Sequence, residues 1–278
     1  MKLCLAVLCA ASLSQASCGV FGFAVVAGAA IACPDLFNEN VDPLDVKFSD
    51  EAELNAEVAA FVSATRDLVN VAIEAETEAK EACLAIGHDI GLSDEDMAPT
   101  DGVSGSVVGA CGAVSRRIGK ILSSGVQLTV TMKPPECSID ASLTASCEGK
   151  CSASGGEPSG ECKSSCKARA SLRATCSPPE VTVEANQNAE LAMRLVASLQ
   201  KNFPRLLRAQ ISLGKRVIAD ADALVSVAAN LPTIIDKAGD KAVACVGASA
   251  SMTTFAAASL GVVVDASVDV SVKVGVGG

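Results

Sequence analysis

Six cysteines between positions 137 and 176 occur in mirror order along the chain. Their spacing read forward from Cys137 is the same as their spacing read backward from Cys176. The two residue numbers of each mirrored pair add to the same total, which is the condition for residues that face each other in an antiparallel hairpin. We therefore predict three disulfides at distances that such a hairpin allows, and they are Cys137–Cys176, Cys147–Cys166 and Cys151–Cys162.

The segments between the mirrored cysteines alternate between apolar and polar residues. In the first segment Ile139, Ala141 and Leu143 alternate with Asp, Ser and Thr, and the second segment alternates in the same way around Leu172. Period-2 alternation is typical of a strand with one apolar face. The sequence therefore predicts a long antiparallel β-ribbon over about 126–185, cross-linked by the three disulfides, with a Gly-, Pro- and Ser-rich turn at its tip.

The four inner cysteines also fit a metal site. Their pattern is C-x3-C followed by a second C-x3-C, and four thiolates can hold zinc or an iron–sulfur cluster. A four-ligand site leaves Cys137 and Cys176 unexplained, so the prediction is disulfides and no cofactor. A metal-binding module is the alternative, and its ligands would be Cys147, Cys151, Cys162 and Cys166.

The N-terminus has the composition of an export signal. Residues 1–17 carry one lysine, an apolar run and then small residues, which is typical of a secretory signal peptide. Cys18 lies in "SQASCG", which resembles a bacterial lipobox, although Gln15 stands where leucine is usual. We expect a lipid on Cys18, an anchor and linker over 18–43, and a location in the cell envelope, at the outer membrane or in the periplasm. Cleavage without a lipid, giving a secreted protein, is the alternative.

The cysteine count agrees with an oxidising compartment. Signal cleavage would remove Cys4 and Cys9, and Cys18 would carry the lipid, which leaves an even number for disulfides. Six of these form the mirror. The other four allow three pairings, among which the sequence does not choose, and they are Cys33, Cys83, Cys111 and Cys245.

Most of the rest of the chain has helical periodicity. Helices are predicted at about 50–86, 103–123, 186–230 and 233–260. In the first of them, apolar residues and alanines from Leu54 to Ile86 follow heptad-like steps of three and four, which is typical of a coiled-coil seam. The tail, about 262–276, alternates valine with polar residues and predicts a strand that pairs with the ribbon.

These patterns together predict an α+β fold in one domain, residues 44–278. Long antiparallel helices, in a bundle of coiled-coil type, would pack with the disulfide-stapled β-ribbon and the C-terminal strand. Residues 242–264 carry no charge and could also be interpreted as a transmembrane helix, but Ala, Gly, Val and Ser supply most of their apolar character.

Several stretches of the chain resemble a group of cysteine-rich exported proteins encoded by myxobacteria. The similar stretches touch most of the chain, and they are "IACPDL" (31–36), "GACGAVSRRIGKIL" (109–122), "KPPEC" (133–137), "ATCSPPEVTV" (174–183) and "LVASLQKNFPRLLRAQISLGKR" (195–216). The resemblance implies export and a hairpin tip of variable length. It implies no catalytic residues.

No motif in the sequence indicates catalysis. The single histidine, His88, follows a glycine that is expected to end a helix, and no phosphate-binding loop is present. The net charge of −10 argues against sequence-independent binding of nucleic acid.

The second ribbon strand carries a possible anion-binding stripe, and its residues are Lys163, Lys167, Arg169 and Arg173. Charges of this kind also discourage edge-to-edge aggregation of a strand. The sequence therefore predicts a non-enzymatic envelope lipoprotein that acts as a rigid structural or attachment module. Its partners would be the membrane, through the lipid, and another protein or a second copy, through strand addition at the C-terminal strand.

Overall fold

The computed structural model of the chain describes residues 28–152, 156–186, 189–208, 214–230 and 239–275. The predicted signal peptide (1–17), the predicted lipidation site Cys18 and the end of the predicted C-terminal strand lie outside the described residues. The described residues are mostly helical, with two small antiparallel sheets and several disulfides.

The helices are α1 (Ala52–Asp89), α2 (Gly105–Ser123), α3 (Ala141–Cys151), α4 (Gly160–Leu172), α5 (Glu190–Leu207), α6 (Gly214–Asn230) and α7 (Gly239–Val274). The strands are β1 (Leu128–Lys133), β2 (Cys137–Ser138), β3 (Thr175–Cys176) and β4 (Glu180–Ala185). Residues 28–32 are helical, and short 3-10 turns occur at Pro34–Leu36 and Pro43–Asp45. The helices predicted at 50–86 and 103–123 are thus confirmed within three residues at each end.

Helix α1 is the centre of the fold. Its 38 residues span about 57 Å, and α2, α4, α5 and α7 all pack directly against it. Every residue from 56 to 65 is buried, on all sides of the helix. A coiled-coil helix buries one seam only. The coiled-coil prediction is therefore not confirmed, because several helices pack against α1 and it is not paired with a single partner.

Helices α1 and α7 run parallel, whereas the sequence analysis predicted antiparallel long helices. Near the start of α1, the Lys241 ammonium donates to the Lys47 carbonyl oxygen (3.3 Å). Further along, the Thr65 and Thr253 hydroxyls are 3.0 Å apart, and the Ser259 hydroxyl donates to Glu76 (3.1 Å). The positions advance together along both helices, so the two N-termini lie at the same end of the molecule.

The predicted C-terminal strand is instead the last part of α7. Its buried residues Val263, Ser267, Val270, Ser271 and Val274 follow helical steps within the alternating valine pattern. The Ser267 and Ser271 hydroxyls donate to carbonyl oxygens one turn earlier, both at 2.8 Å. Since these bonds satisfy the buried hydroxyls inside the helix, this segment can pack against the protein core and offers no strand edge.

The predicted long β-ribbon is a composite hairpin in which only the outer parts are strands. Pairing β1–β4 and β2–β3 places Val130 opposite Val183 and Cys137 opposite Cys176, in the predicted register. Beyond these strands the chain forms the antiparallel pair α3 and α4, so the ribbon prediction is wrong between about 139 and 174. Asp140 starts α3, because its carboxylate accepts a hydrogen bond from Ser142 N (2.8 Å).

The five disulfides of the described residues include the three pairs predicted from the mirror. Cys137–Cys176, Cys147–Cys166 and Cys151–Cys162 all form. The pairing that the sequence left open is Cys33–Cys245 and Cys83–Cys111. Cys33–Cys245 ties the N-terminal segment to α7, and Cys83–Cys111 ties α1 to α2.

Of the helices in the described residues, α7 alone is long and apolar enough to cross a membrane, judged by length and composition. In this fold it packs against α1, α2 and α6. The core helix of a folded domain has the same composition, so this feature does not identify a membrane span.

Candidate functional site

The inner cysteines form a buried cluster on the hairpin α3–α4. Cys147 and Cys151 lie one turn apart on α3, and Cys162 and Cys166 lie one turn apart on α4. Each of the four is at most 6% exposed. They pack on Ala56 and Ala60 of α1, with Leu44 at the edge. The cluster is therefore enclosed between the hairpin and the central helix.

The local sequence explains why these cysteines face one another. A spacing of four residues places two side chains on the same face of a helix. The Ser159 hydroxyl accepts a hydrogen bond from Cys162 N (3.1 Å) and starts α4. Two antiparallel helices with such cysteines on their inner faces therefore form two disulfides. The pairs are the same as those predicted for an antiparallel ribbon.

The cluster is oxidised in the structure, in the pairs Cys147–Cys166 and Cys151–Cys162. Sulfurs that belong to different disulfides are also close to each other. The Sγ atoms of Cys147, Cys151 and Cys166 all lie within 4.8 Å of one another, and the nonbonded pair Cys151 and Cys166 is 3.7 Å apart. The four residues that the sequence singled out as alternative metal ligands are thus gathered in one place.

The predicted basic stripe does not exist as an exposed surface. Arg169 and Arg173 turn toward α1, because they lie on a helix and not on a strand. Arg169 Nη2 donates to Asp42 (2.6 Å). Arg173 donates from Nε and Nη2 to the two oxygens of Asp67, at 2.7 and 3.0 Å. The Arg169 side chain is only 7% exposed, so these charges hold the hairpin to the core and are not free for an anion.

The two lysines of the predicted stripe are on the outer side of α4. Lys167 is exposed, and Lys163 Nζ lies 3.9 Å from a Glu157 carboxylate oxygen. Lysines in such positions are ordinary solvated side chains. The structure therefore gives no support to anion binding at these four residues.

Arg66 joins the same network to the segment before α1. Its Nη1 atom donates to the carbonyl oxygens of Asn38 (2.9 Å) and Val41 (2.7 Å). Burial lowers the pKa of Arg66, and the hydrogen bond from Arg173 to Asp67 raises the pKa of Arg173. Burial alone would raise the pKa of Asp42, but hydrogen bonds from Leu44 N and Arg169 outweigh it and the pKa is lowered.

Glu57 is a buried carboxyl beside the cysteine cluster. It is 6% exposed and follows Ala56, which contacts the cluster. Burial raises its pKa; a hydrogen bond from Ser159 opposes this shift, and the carboxylates of Glu161 and Glu53 add to it. Burial therefore makes ionisation of Glu57 less favourable in the folded protein than in the unfolded chain.

Replacing Glu57 by Gln is expected to raise the Tm at pH 7. Since the pKa is higher in the folded state than in the unfolded state, the free energy of unfolding falls as the pH rises through these two values, and it stays lower at pH 7. The gain should shrink toward about pH 4, where the carboxyl is largely protonated in both states. Thermal unfolding at both pH values measures it. The exposed Glu53→Gln is the control, and an equal gain at both pH values would contradict the burial argument.

The groups most similar to catalytic ones are engaged in hydrogen bonds. The Ser104 hydroxyl donates to Glu76 (3.0 Å) and lies 2.7 Å from the Ser259 hydroxyl, with both serines buried. His88 Nε2 lies 2.8 Å from Asp94 Oδ1, and both side chains are exposed. The hydrogen bonds with Glu76 satisfy the two buried serine hydroxyls between α2 and α7. The contact between His88 and Asp94 is on the surface.

One shallow pocket of about 330 Å³ opens at the end where α1 and α7 begin. Its lining includes Lys47, Phe48 and Lys241, with the Lys241 ammonium 5.1 Å from the Phe48 ring centre. Lys241 also pairs with Asp35 (3.0 Å) and Lys47 with Asp50 (2.6 Å). Because carboxylates already neutralise both lysines, the pocket has little capacity for an anionic ligand.

Comparisons with known proteins leave the site to be judged from its geometry. No protein-family model matches the chain, and no significant match is found among curated proteins or solved structures.

Proposed function

We propose that this chain is a non-enzymatic protein of the cell envelope, anchored by a lipid on Cys18, that acts as a rigid structural or attachment module. One observation carries the proposal: every cysteine of the described residues belongs to a disulfide. Disulfide-rich domains form and persist in oxidising compartments. This supports export, which the composition of residues 1–17 also indicates.

The disulfide Cys33–Cys245 would place the domain close to the membrane. It fixes the chain a short distance after Cys18, and a fully extended segment of that length reaches at most about 50 Å. Because Cys245 lies near the start of α7, the N-terminal ends of α1 and α7 would face the lipid. The far end of α1, about 57 Å away, would then face outward.

A rigid body suits this arrangement. The parallel helices α1 and α7 have 38 and 36 residues. Disulfides fix the N-terminal segment to α7 and α2 to α1, and others cross-link the hairpin internally. The alternative of strand addition at the C-terminal strand is withdrawn, because that segment is helical. A protein partner would meet helical surfaces or the outer face of the β1–β4 pair.

Replacing Cys18 by Ser is expected to release the protein from the membrane fraction. The thiol of Cys18 is the proposed attachment point of the lipid, and a single polar substitution removes it. The full chain is expressed in a bacterial host that processes lipoproteins, with a fatty acid label, and then fractionated. The parent chain should be labelled and sediment with membranes, whereas Cys18→Ser should be unlabelled and soluble.

Cys9→Ser is the matched control, since Cys9 lies in the segment that is removed. It should behave as the parent chain does. A Cys18→Ser protein that remains in the membrane fraction would show that another feature holds it there. A parent chain that is soluble and unlabelled would favour the secreted alternative.

A further inference from the structure

We propose that the four-cysteine cluster of α3–α4 is a Zn²⁺ site when its two disulfides are reduced. The hairpin would then be closed by sulfur–sulfur bonds in an oxidising compartment and by the metal ion in a reducing one. The ligands are Cys147, Cys151, Cys162 and Cys166. This inference does not depend on lipid attachment at Cys18.

One nonbonded distance between the sulfurs fits a tetrahedral ion, and the two bonded pairs would open to the same spacing on reduction. Zinc–thiolate bonds are about 2.3 Å long, so neighbouring thiolates around a tetrahedral zinc lie about 3.8 Å apart. The nonbonded Sγ atoms of Cys151 and Cys166 are 3.7 Å apart, and Cys147 lies with both of them within 4.8 Å. Cys162 lies outside this group of three but in the same buried cluster, and it becomes the fourth ligand when its bond to Cys151 is reduced.

The hairpin backbone places the four ligand positions close together, and contacts other than the disulfides support this placement. The Cα atoms are 5.6 Å apart across Cys147–Cys166 and 6.3 Å apart across Cys151–Cys162. Ser159 starts α4 by a hydrogen bond, and the Arg173–Asp67 pair fixes α4 on α1. Reduction breaks none of these contacts, so the thiols remain within reach of one ion.

The surroundings suit a dry structural metal site. The cluster is packed against Ala56 and Ala60, which exclude water from the sulfurs. Four thiolates around one Zn²⁺ carry two net negative charges, and Cys162 lies in the first turn of α4, where the helix dipole favours negative charge. Lys150 and Lys163 are next to ligands in sequence, but they are paired with Asp45 and Glu157 and add little net positive charge. The carboxylate of Glu57 opposes these contributions.

A single ion fits the cluster better than an iron–sulfur cluster does. The thiolates around an iron–sulfur cluster bind different iron atoms, so the bridging sulfides and irons hold them farther apart than in a one-ion site. The nonbonded sulfurs of Cys151 and Cys166 are 3.7 Å apart, which is the spacing of two thiolates on one ion. The spacing of three residues between paired cysteines is also within the range of structural zinc sites.

The conversion is a balanced exchange. Each disulfide accepts two electrons and two protons from a dithiol, which becomes a disulfide, so two dithiols produce four cysteine thiols. Zinc binding then releases four protons. In the reverse direction, the tetrathiolate loses four electrons to two disulfide oxidants, two protein disulfides form and Zn²⁺ is released.

The test is metal binding by the full chain in two redox states. The chain is reduced with a phosphine in metal-free buffer and titrated first with Co²⁺, then with Zn²⁺ against a chromophoric chelator. We expect one metal ion per reduced chain and the charge-transfer absorption of a cobalt tetrathiolate. If reduction unfolds the hairpin, zinc should restore its helical circular dichroism, because metal binding and folding are coupled. The oxidised chain should bind none.

Two variants identify the ligands. Cys151→Ser removes one ligand and should weaken zinc binding at least about tenfold, the loss that even an outer contact of a zinc site can cause. The double variant Cys83→Ser/Cys111→Ser removes two thiols elsewhere and should bind zinc as tightly as the parent chain. Less than stoichiometric binding by the reduced parent, whether folded or unfolded, would overturn the proposal. Equal binding by the parent and Cys151→Ser would do the same.

Discussion

Removing the Cys33–Cys245 disulfide, as Cys33→Ala/Cys245→Ala, is expected to lower the free energy of unfolding more than removing any other disulfide of the described residues. The two cysteines are 212 residues apart in sequence, and a cross-link that closes a loop of this length restricts the unfolded chain by about 5 kcal/mol. Other disulfides shorten the effective loop, but the dependence is logarithmic and the value changes little. Because whole domains are stable by only about 5–15 kcal/mol, the variant should be close to unfolding.

The matched control is Cys83→Ala/Cys111→Ala. These cysteines are 28 residues apart and are also almost fully buried, so the two double variants lose similar packing. The shorter loop predicts a smaller loss, about 3.5 kcal/mol. Urea unfolding under non-reducing conditions measures both. Equal losses, or a larger loss in the control, would show that loop length does not decide the contribution of the long cross-link.

The register of the hairpin could be predicted from the sequence, but its secondary structure could not. The mirror order of the cysteines determines which residues face each other. The strand pair Val130 and Val183 and the helix pair Cys147 and Cys166 both have the predicted register. Antiparallel helices and antiparallel strands share this constraint. The apolar positions between the cysteines are mostly alanine, which has a low strand propensity and a high helix propensity. That composition and the C-x3-C spacing were the signals for α3 and α4.

The C-terminal segment shows how two periods can coexist in one sequence. Valine at every second position predicts a strand, yet Val263, Ser267, Val270 and Val274 also form a helical stripe. Serine is counted as polar in a strand pattern, but in a helix its hydroxyl can bond to the preceding turn. Packing along α1 decides between the two patterns, and that contact joins residues about 190 positions apart, such as Thr65 and Thr253.

The predicted role of the arginines also depended on whether their segment is a strand or a helix. On a strand, Lys163, Lys167, Arg169 and Arg173 would share the polar face and form an exposed stripe. On a helix, steps of four place Arg169 and Arg173 on one side, where they meet Asp42 and Asp67. Once residues 160–172 are assigned to a helix, the sequence places the buried Arg169 on the side of α4 opposite the exposed Lys167.

Replacing Asp67 by Ala is expected to lower the free energy of unfolding by about 3 kcal/mol, because it removes a buried carboxylate that accepts two hydrogen bonds from Arg173 and lies beside the buried charge of Arg169. The Asp67 side chain is 8% exposed and accepts two hydrogen bonds from Arg173, and Arg169 Nε lies 3.4 Å away. Arg169 keeps Asp42 and Arg173 can turn toward solvent, so the loss should lie near the lower end of the range for broken buried pairs. Urea unfolding at pH 7 measures it, with the exposed Asp269→Asn as control.

A second variant separates charge from packing. Asp67→Leu/Arg173→Met replaces both members of the hydrogen-bonded pair by apolar side chains of similar size and leaves Arg169 with Asp42. Such replacements of ion pairs are often close to neutral. We therefore expect the double variant to be more stable than Asp67→Ala. If it is less stable, Asp67 contributes through the shape of its side chain in this contact and not through compensation of the arginines.

The effect of Asp67→Ala should also be local, because no disulfide of the described residues joins the hairpin to α1. Three disulfides lie within the composite hairpin, and the other two connect the N-terminal segment to α7 and α1 to α2. Docking of α4 on α1 therefore rests on packing at Ala56 and Ala60 and on the Arg–Asp pairs. Compared with the parent chain, Asp67→Ala should show a larger increase in the rate of amide hydrogen exchange in α4 than in α7. Exchange that rises equally in both helices would mean that the ion pairs stabilise the whole domain and not this contact.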